Sequence, residues 1–170
     1  MMRIVLAIGG SDPSGGAGVQ ADLETLADCG VQGISAITAI TSQDEEAVLS
    51  IHPTPGDVLT QQISTACKER EIAAVKIGMV ATKANARAVQ WFLKRPDLPH
   101  IVVDPVLHSS TGTPLLESNA FAFYRQQLLP LATVVTPNLA EASALAGMQV
   151  AGLDTMRTAA ETIHKELARL

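Results

Sequence analysis

The chain of 170 residues is 47% hydrophobic and carries a net charge of −5, which suits one folded domain with a sizeable core and excludes disorder. Its 12 Lys and Arg form no cluster, which argues against a nucleic-acid surface, since such surfaces need concentrated positive charge. No apolar stretch reaches the ~18 residues that cross a bilayer and no leader-type pattern opens the chain, so no membrane contact and a cytoplasmic location are expected.

In chain order, an apolar run from Arg3 to Ile8 predicts a first strand. It leads into GGSDPSGGAGVQAD at 9 to 22, and a helical pattern follows from Val19 to Cys29. Strands are predicted over Gly33 to Thr41 and Ala47 to Ile51, a helix over Pro55 to Glu69, and a strand over Ala73 to Ile77. A helix over Lys83 to Leu93, a strand over His100 to Val103, a helix over Ser118 to Leu129, a strand over Thr133 to Val135 and a helix over Leu139 to Leu145 complete the series. A last helical spacing links Met156, Ala160, Ile163, Leu167 and Leu170. Strands apolar nearly throughout and separated by helices predict a doubly wound α/β domain with a parallel sheet covered on both faces. Cys29 and Cys67 lie far apart without metal-ligand spacing and are expected to be reduced core thiols.

Ligands of such sheets bind beyond the carboxyl ends of the strands. The residues that follow the strands are Gly9 to Asp12, Ser42 to Asp44, Gly78 and Met79, Asp104 to Val106, and Thr136 to Asn138 with Glu141. Glycines and polar side chains from five strand ends would therefore share one rim. The glycine loop lacks the Lys-Ser/Thr ending of a Walker A loop. Gly16, Gly18 and Ala21, with Asp44 and Glu45 near a second strand end, match a dinucleotide fingerprint in pattern but not in spacing, because Gly16 comes too long after Ile8 to make the tight turn. What remains is a loop whose bare N–H groups, at Gly10 for example, can lie against a ligand. Asp22, on the first turn of the helix, can accept from a bound hydroxyl or cap its own backbone.

The segment GGSDPSGGAGVQADLETLADCGVQGISAITAITSQDEEAV resembles the N-terminal region of the hydroxymethylpyrimidine and phosphomethylpyrimidine kinases of thiamin biosynthesis. VKIGMV at 75 to 80, VVDPVL at 102 to 107, SSTGTPLL at 109 to 116 and VVTPNLAEASALAG at 134 to 147 follow in the family's order. The resemblance implies a ribokinase-like three-layer α/β/α sandwich with a mostly parallel sheet. It also implies ATP-dependent phosphorylation of 4-amino-5-hydroxymethyl-2-methylpyrimidine and then of its monophosphate, with Mg²⁺, in a homodimer.

Gln43 resembles the family position that reads the aminopyrimidine edge. A primary amide offers the acceptor and donor that complement a ring nitrogen beside an exocyclic amine. A Gln at a strand end in solvent is the plainer alternative. Met79 and Val106 resemble the apolar walls of the ring pocket, although each alone reads as ordinary core. Asn138 and Glu141 match the family's N-x-x-E, a spacing that puts both on one face of a helix start, and Asn138 also suits the N-cap. Asp104 could join them at a magnesium shell, which asks for oxygen ligands and one or two carboxylates; alone, an Asp-Pro pair is a turn. His108 and Ser109 depart from the small apolar residues usual after D-P-V.

The family continues with a strand carrying a Lys-Gly-Gly-His-like segment and a Gly-Thr-Gly-Cys or Gly-Thr-Gly-Asp helix start that supplies the anion hole and the base. Neither motif occurs in these 170 residues. The base and anion hole are therefore expected beyond Leu170, and residues 1–170 are expected to form a single ribokinase-like domain truncated at its C-terminus, without the ATP-binding portion. Two other readings are a truncated pyrimidine-binding pseudo-enzyme without turnover and a pyridoxal-type vitamin kinase. Gln43 favours the aminopyrimidine, because a pyridoxal ring has no amine beside its nitrogen.

Overall fold

The first apolar run becomes the centre of a six-stranded sheet. The computed structural model describes residues 2–44, 46–98 and 100–167; Glu45 and Leu170 lie outside the described residues. The strands are β1 (Ile4–Ser11), β2 (Gln32–Gln43), β3 (Val48–Pro53), β4 (Ile72–Ile77), β5 (Ile101–Val103) and β6 (Val134–Val135), in the order β3-β2-β1-β4-β5-β6. All neighbours pair in parallel except β2 and β3, which form an antiparallel edge. Leu6, Ala7 and Ile8 of β1 are fully buried, as a strand covered on both faces requires.

The helices are α1 (Gly18–Asp28), α2 (Gly56–Ala66), α3 (Lys83–Leu93), a single turn α4 (Phe121–Phe123), α5 (Leu139–Ala146) and α6 (Leu153–Leu167). From β1 the chain crosses outward to β2, and from β3 it returns across β1 to β4 and β5. The parallel crossovers β1-α1-β2 and β4-α3-β5 run in opposite directions along the sheet and so put α1 on one face and α3 on the other, where α2 packs against α3; this gives the three α/β/α layers. The α1 layer sits close: a Cβ on Gly33 of β2 would lie 2.6 Å from Leu23 Cδ2. On α3, the Thr82 hydroxyl caps the helix by accepting from Asn85 N at 3.1 Å, and the stripe Ala86, Val89, Phe92 and Leu93 is buried. Each large apolar side chain hidden this way stabilises the fold by roughly 1.5–3 kcal/mol.

Four sequence expectations are corrected. The first strand does not stop at Ile8 but runs through the glycines to Ser11, pairing with β2 as far as Ile40. The predicted helix from Ser118 to Leu129 is a 3-10 turn (Ser118–Ala120), the α4 turn, a π turn (Tyr124–Leu128) and a second 3-10 turn (Leu129–Leu131). Pro130 supplies no N–H and crowds the preceding turn, and the widened winding still delivers Tyr124, Leu128 and Leu129 to the core. On α6 the buried residues are Ala159 and Ile163, whereas Met156 and Ala160 face solvent. Cys67 is a buried thiol, but Cys29 is exposed at the C-cap of α1, before a turn in which Gly30 takes φ +70°.

Between β1 and β2 the pairing skips one residue: Gly9 lies opposite Ile37 and Gly10 opposite Ala39, so Thr38 is an extra residue bulged out of the ladder.

Candidate functional site

Residues 9 to 18 wrap around one carboxylate. Asp12 is 3% exposed; its Oδ1 accepts from Ser14 N at 2.9 Å and Ser14 Oγ at 2.8 Å, and its Oδ2 accepts from Ala17 N at 2.8 Å. Burial pushes this carboxyl up, but hydrogen bonding from the Gln43 side chain, Ser14 and Ala17 outweighs it and holds Asp12 below the usual carboxylate value. Asp12 N in turn donates to Gln20 Oε1 of α1 at 2.9 Å. Gly18 closes the wrap at φ +62°, where a Cβ would stand 2.5 Å from the Gly10 carbonyl oxygen. Only glycine permits that approach.

The wrap forms one wall of a cavity of about 480 Å³ at the carboxyl ends of β1, β2, β4 and β5. Gly10, Asp22, Gln43, Met79, Asp104 and Val106, which come from five separate segments of the chain, all line it. Met79 lies directly on Gly10, where a Cβ would be 2.8 Å from the thioether sulfur. Thr41 Oγ1 donates to Ser11 O at 2.7 Å and fixes the end of β1 against β2 below Gln43. The mouth carries a small hairpin: Ser109 N donates to Thr113 O at 2.9 Å, Leu115 N donates to Leu107 O at 2.8 Å, and Gly112 turns at φ +87°. His108, Ser109, Ser110 and Thr111 of that hairpin reach the cavity.

Asp22 stands past the first turn of α1 rather than on it, and it caps no backbone; the N-cap is Ala17. Its carboxylate is bound instead by Lys76 Nζ of β4, 2.8 Å from Oδ1 and 2.9 Å from Oδ2. Lys76 lines the cavity and is the candidate site residue that sequence reasoning missed. The signal was a lone lysine inside an otherwise apolar strand, followed by Gly78, where a Cβ would come within 3.1 Å of Lys76 Nζ. Asp104 shares this floor. Burial pushes its carboxyl up, Lys76 pulls it back, and Asp22 adds to the rise.

Asn138 and Glu141 do not line the cavity. They form a capping box at the start of α5: Glu141 N donates to Asn138 Oδ1 at 2.9 Å, and Asn138 N donates to Glu141 Oε2 at 2.8 Å. Glu141 is nevertheless 5% exposed and within electrostatic reach of Asp104. Burial raises its carboxyl, the Asn138 backbone bond pulls against that, and Asp104 adds to the rise. Tyr124 is buried within the field of both carboxylates, and its hydroxyl finds no hydrogen-bond partner among the described residues. A buried acid and a half-buried one that disfavour each other's charge are a donor set that a hard divalent cation would relieve. Among the described residues no group of three or more His, Cys, Asp or Glu side chains could hold a metal ion, so such a cation would depend on water or phosphate for its remaining ligands.

Comparison with known proteins is consistent along the chain. A family model described as phosphomethylpyrimidine kinase matches residues 12–170. A hydroxymethylpyrimidine/phosphomethylpyrimidine kinase of Haemophilus influenzae is 41% identical over 168 residues, covering 99% of this chain and 62% of the relative. The chain thus spans about three fifths of the length of that curated relative. A crystal structure of phosphomethylpyrimidine kinase from Clostridium difficile superposes with a TM-score of 0.88 at 37% identity, covering 96% of this chain and 71% of that one. The pyridoxal kinase from Staphylococcus aureus, solved with AMP-PCP and pyridoxal, gives 0.84 at 34% identity, covering 98% and 59%. The fold is that of the ribokinase-like vitamin kinases.

Proposed function

Because the chain belongs to the phosphomethylpyrimidine kinase family, we propose that it carries the aminopyrimidine site and part of the magnesium and nucleotide site of a thiamin-biosynthetic kinase. The reaction would move the γ-phosphoryl of ATP to the hydroxymethyl group of 4-amino-5-hydroxymethyl-2-methylpyrimidine, and then to the monophosphate. The observation that carries this reading is the convergence of Gly10, Gln43, Met79 and Val106 on one cavity, with Asp22 and Asp104 at its floor. The Gln43 amide complements the amine and ring nitrogen of an aminopyrimidine, Met79 and Val106 supply apolar surface for the ring, and Asp22 is the acceptor available to a bound hydroxyl.

Asp104, Asn138 and Glu141 would hold Mg²⁺, whose part in such chemistry is to neutralise phosphate charge. The base and the anion hole are proposed to belong to the family's portion beyond residue 170, along with most of the ATP site. A pyridoxal-type kinase, whose fold this chain shares but which the family model and the curated relative do not favour, is the second reading, and a pyrimidine-binding protein without turnover is the third. Gln43 weighs toward the aminopyrimidine over the pyridoxal ring, and turnover alone separates the first reading from the third.

Gln43→Ala is expected to weaken aminopyrimidine binding by ~1–3 kcal/mol, the cost of leaving a buried partner unpaired, with little change in stability. Isothermal calorimetry with the pyrimidine and with pyridoxal measures it. Equal affinity of mutant and wild type for the pyrimidine removes Gln43 from the site, and wild-type preference for pyridoxal transfers the assignment to the second reading.

The proposed quaternary state is a homodimer in the cytoplasm, where ATP is available. Its support is the β2–β3 edge, which leaves Ile40 60% and Leu49 73% exposed. Sedimentation is expected to give twice the chain mass at micromolar concentration, and a monomer there would remove this assignment.

A further inference from the structure

The bulge at Thr38 connects the two helices α2 and α3 to the cavity wall through polar contacts that are buried or part-buried. The amide of Gln62 on α2 closes both backbone groups of Ile37, accepting from Ile37 N at 2.9 Å and donating to Ile37 O at 3.2 Å. Asn85 on α3, fully buried, donates through Nδ2 to Thr38 O at 2.8 Å, and Thr54 N donates to the same oxygen at 2.9 Å. With its backbone held from both helices, the displaced residue turns its hydroxyl across the end of β1. Thr38 Oγ1 donates to Met79 O at 2.6 Å, a bond between the second strand and the segment that leaves the fourth. These strands are not neighbours in the sheet, because β1 separates them.

On its other side the Met79 segment is held by a tight turn. Thr82 N donates to Val80 O at 2.9 Å, and Ala81 takes φ +68°, a left-handed conformation uncommon for a residue with a side chain. Met79 is thereby fixed at its carbonyl from β2 and at its C-terminal side by the turn into α3. Its thioether rests on the bare Gly10 backbone. A flexible side chain of this kind ordinarily adapts to whatever touches it. Here the backbone beneath it has little freedom to do so.

We propose that the Thr38 bulge is a positioning device for Met79, with Gln62 and Asn85 as positioning residues that set the height of the apolar wall over Gly10. A strand bulge beside a site commonly re-aims one side chain, and this one aims a hydroxyl at a backbone carbonyl rather than at a ligand. Neither Thr38, Gln62 nor Asn85 lines the cavity. They act through Met79.

The test uses the chain labelled with ¹³C-methyl methionine, which carries five methionines; Met79→Leu assigns the resonance. In Thr38→Val the Met79 methyl is expected to shift or broaden while the other methionines keep their positions, and Thr38→Ser is expected to restore it. Gln62→Leu, which leaves Thr38 and Met79 chemically intact, is expected to disturb the same resonance and decides the matter if Thr38→Val does not fold. Calorimetry with 4-amino-5-hydroxymethyl-2-methylpyrimidine is expected to show about a tenfold loss of affinity in Thr38→Val and recovery in Thr38→Ser, in keeping with the loss of one buried hydrogen bond. The calorimetric arm rests on the functional reading above; the methyl arm does not. A wild-type chain that fails to bind the pyrimidine defeats that reading, and the methyl arm still decides this one. An unmoved Met79 resonance in folded Thr38→Val or Gln62→Leu, or a shift that serine does not reverse, overturns the proposal.

Discussion

Gly18→Ala is expected to lower the unfolding free energy by about 2–5 kcal/mol. Left-handed backbone at a residue with a Cβ costs ~1–2 kcal/mol, and forcing a packed neighbour aside costs ~1–3 more. Both apply here, since φ is +62° and the new methyl would meet the Gly10 carbonyl oxygen at 2.5 Å and Asp12 N at 3.1 Å. Gly30 provides the internal comparison: its φ is +70°, but a Cβ there meets nothing within 4 Å. Urea denaturation of both variants should therefore show Gly18→Ala as the more damaging by at least the steric share. Equal losses would mean that the glycine wrap gives way freely and is not the fixed wall described above.

Asp12→Ala is expected to cost about 2–3 kcal/mol, because charge-assisted hydrogen bonds contribute more than neutral ones while the partly exposed Ser14 and Ala17 amides recover some of the loss from water. Its pH signature has a definite sign. Asp12 is held below the ordinary carboxylate value in the folded chain, so its contribution is fully present above the unfolded value of about 4 and is lost as pH falls through the lower, folded value. The urea midpoint of the wild type should fall over that acidic window, and Asp12→Asn should show a shallower fall. A slope unchanged by the substitution would show that the carboxylate charge does not hold the loop.

The alternation of apolar runs with helical spacings made the layered fold legible, because burial on both sheet faces leaves strands without polar positions. Gln43, Met79, Asp104 and Val106 were legible as strand-end residues for the same reason: the topology sends every parallel strand end to one rim. Lys76 was not, because its chemistry depends on Asp22, 54 residues away in sequence, and no local pattern records that pairing. Asp12 read as one polar residue of a loop, although it organises the whole of it; the clue was the Asp-x-Ser spacing that lets a side chain accept from the backbone two residues on. Asn138 and Glu141 were legible as a helix start, since the N-x-x-E spacing is itself the capping geometry. That geometry also occupies Glu141 Oε2 locally, which spacing alone did not reveal.

Side chains on a strand alternate with a period of two, so one surplus residue inverts the parity of everything downstream. Beyond Thr38 the inverted parity turns Ala39, Thr41 and Gln43 toward the interior or the cavity and leaves Ile40 in solvent. If the same residues were paired without the bulge, Thr38 would stand opposite Gly10, Ile40 would turn inward, and Gln43 would face out. Hiding Ile40 favours that flat alternative by roughly 2 kcal/mol, and the amides of Gln62 and Asn85, bonded to Ile37 and Thr38, oppose it. The half-buried amide of Gln62 and the buried amide of Asn85, neither of which lines the cavity, thus determine by parity whether Gln43 faces into it.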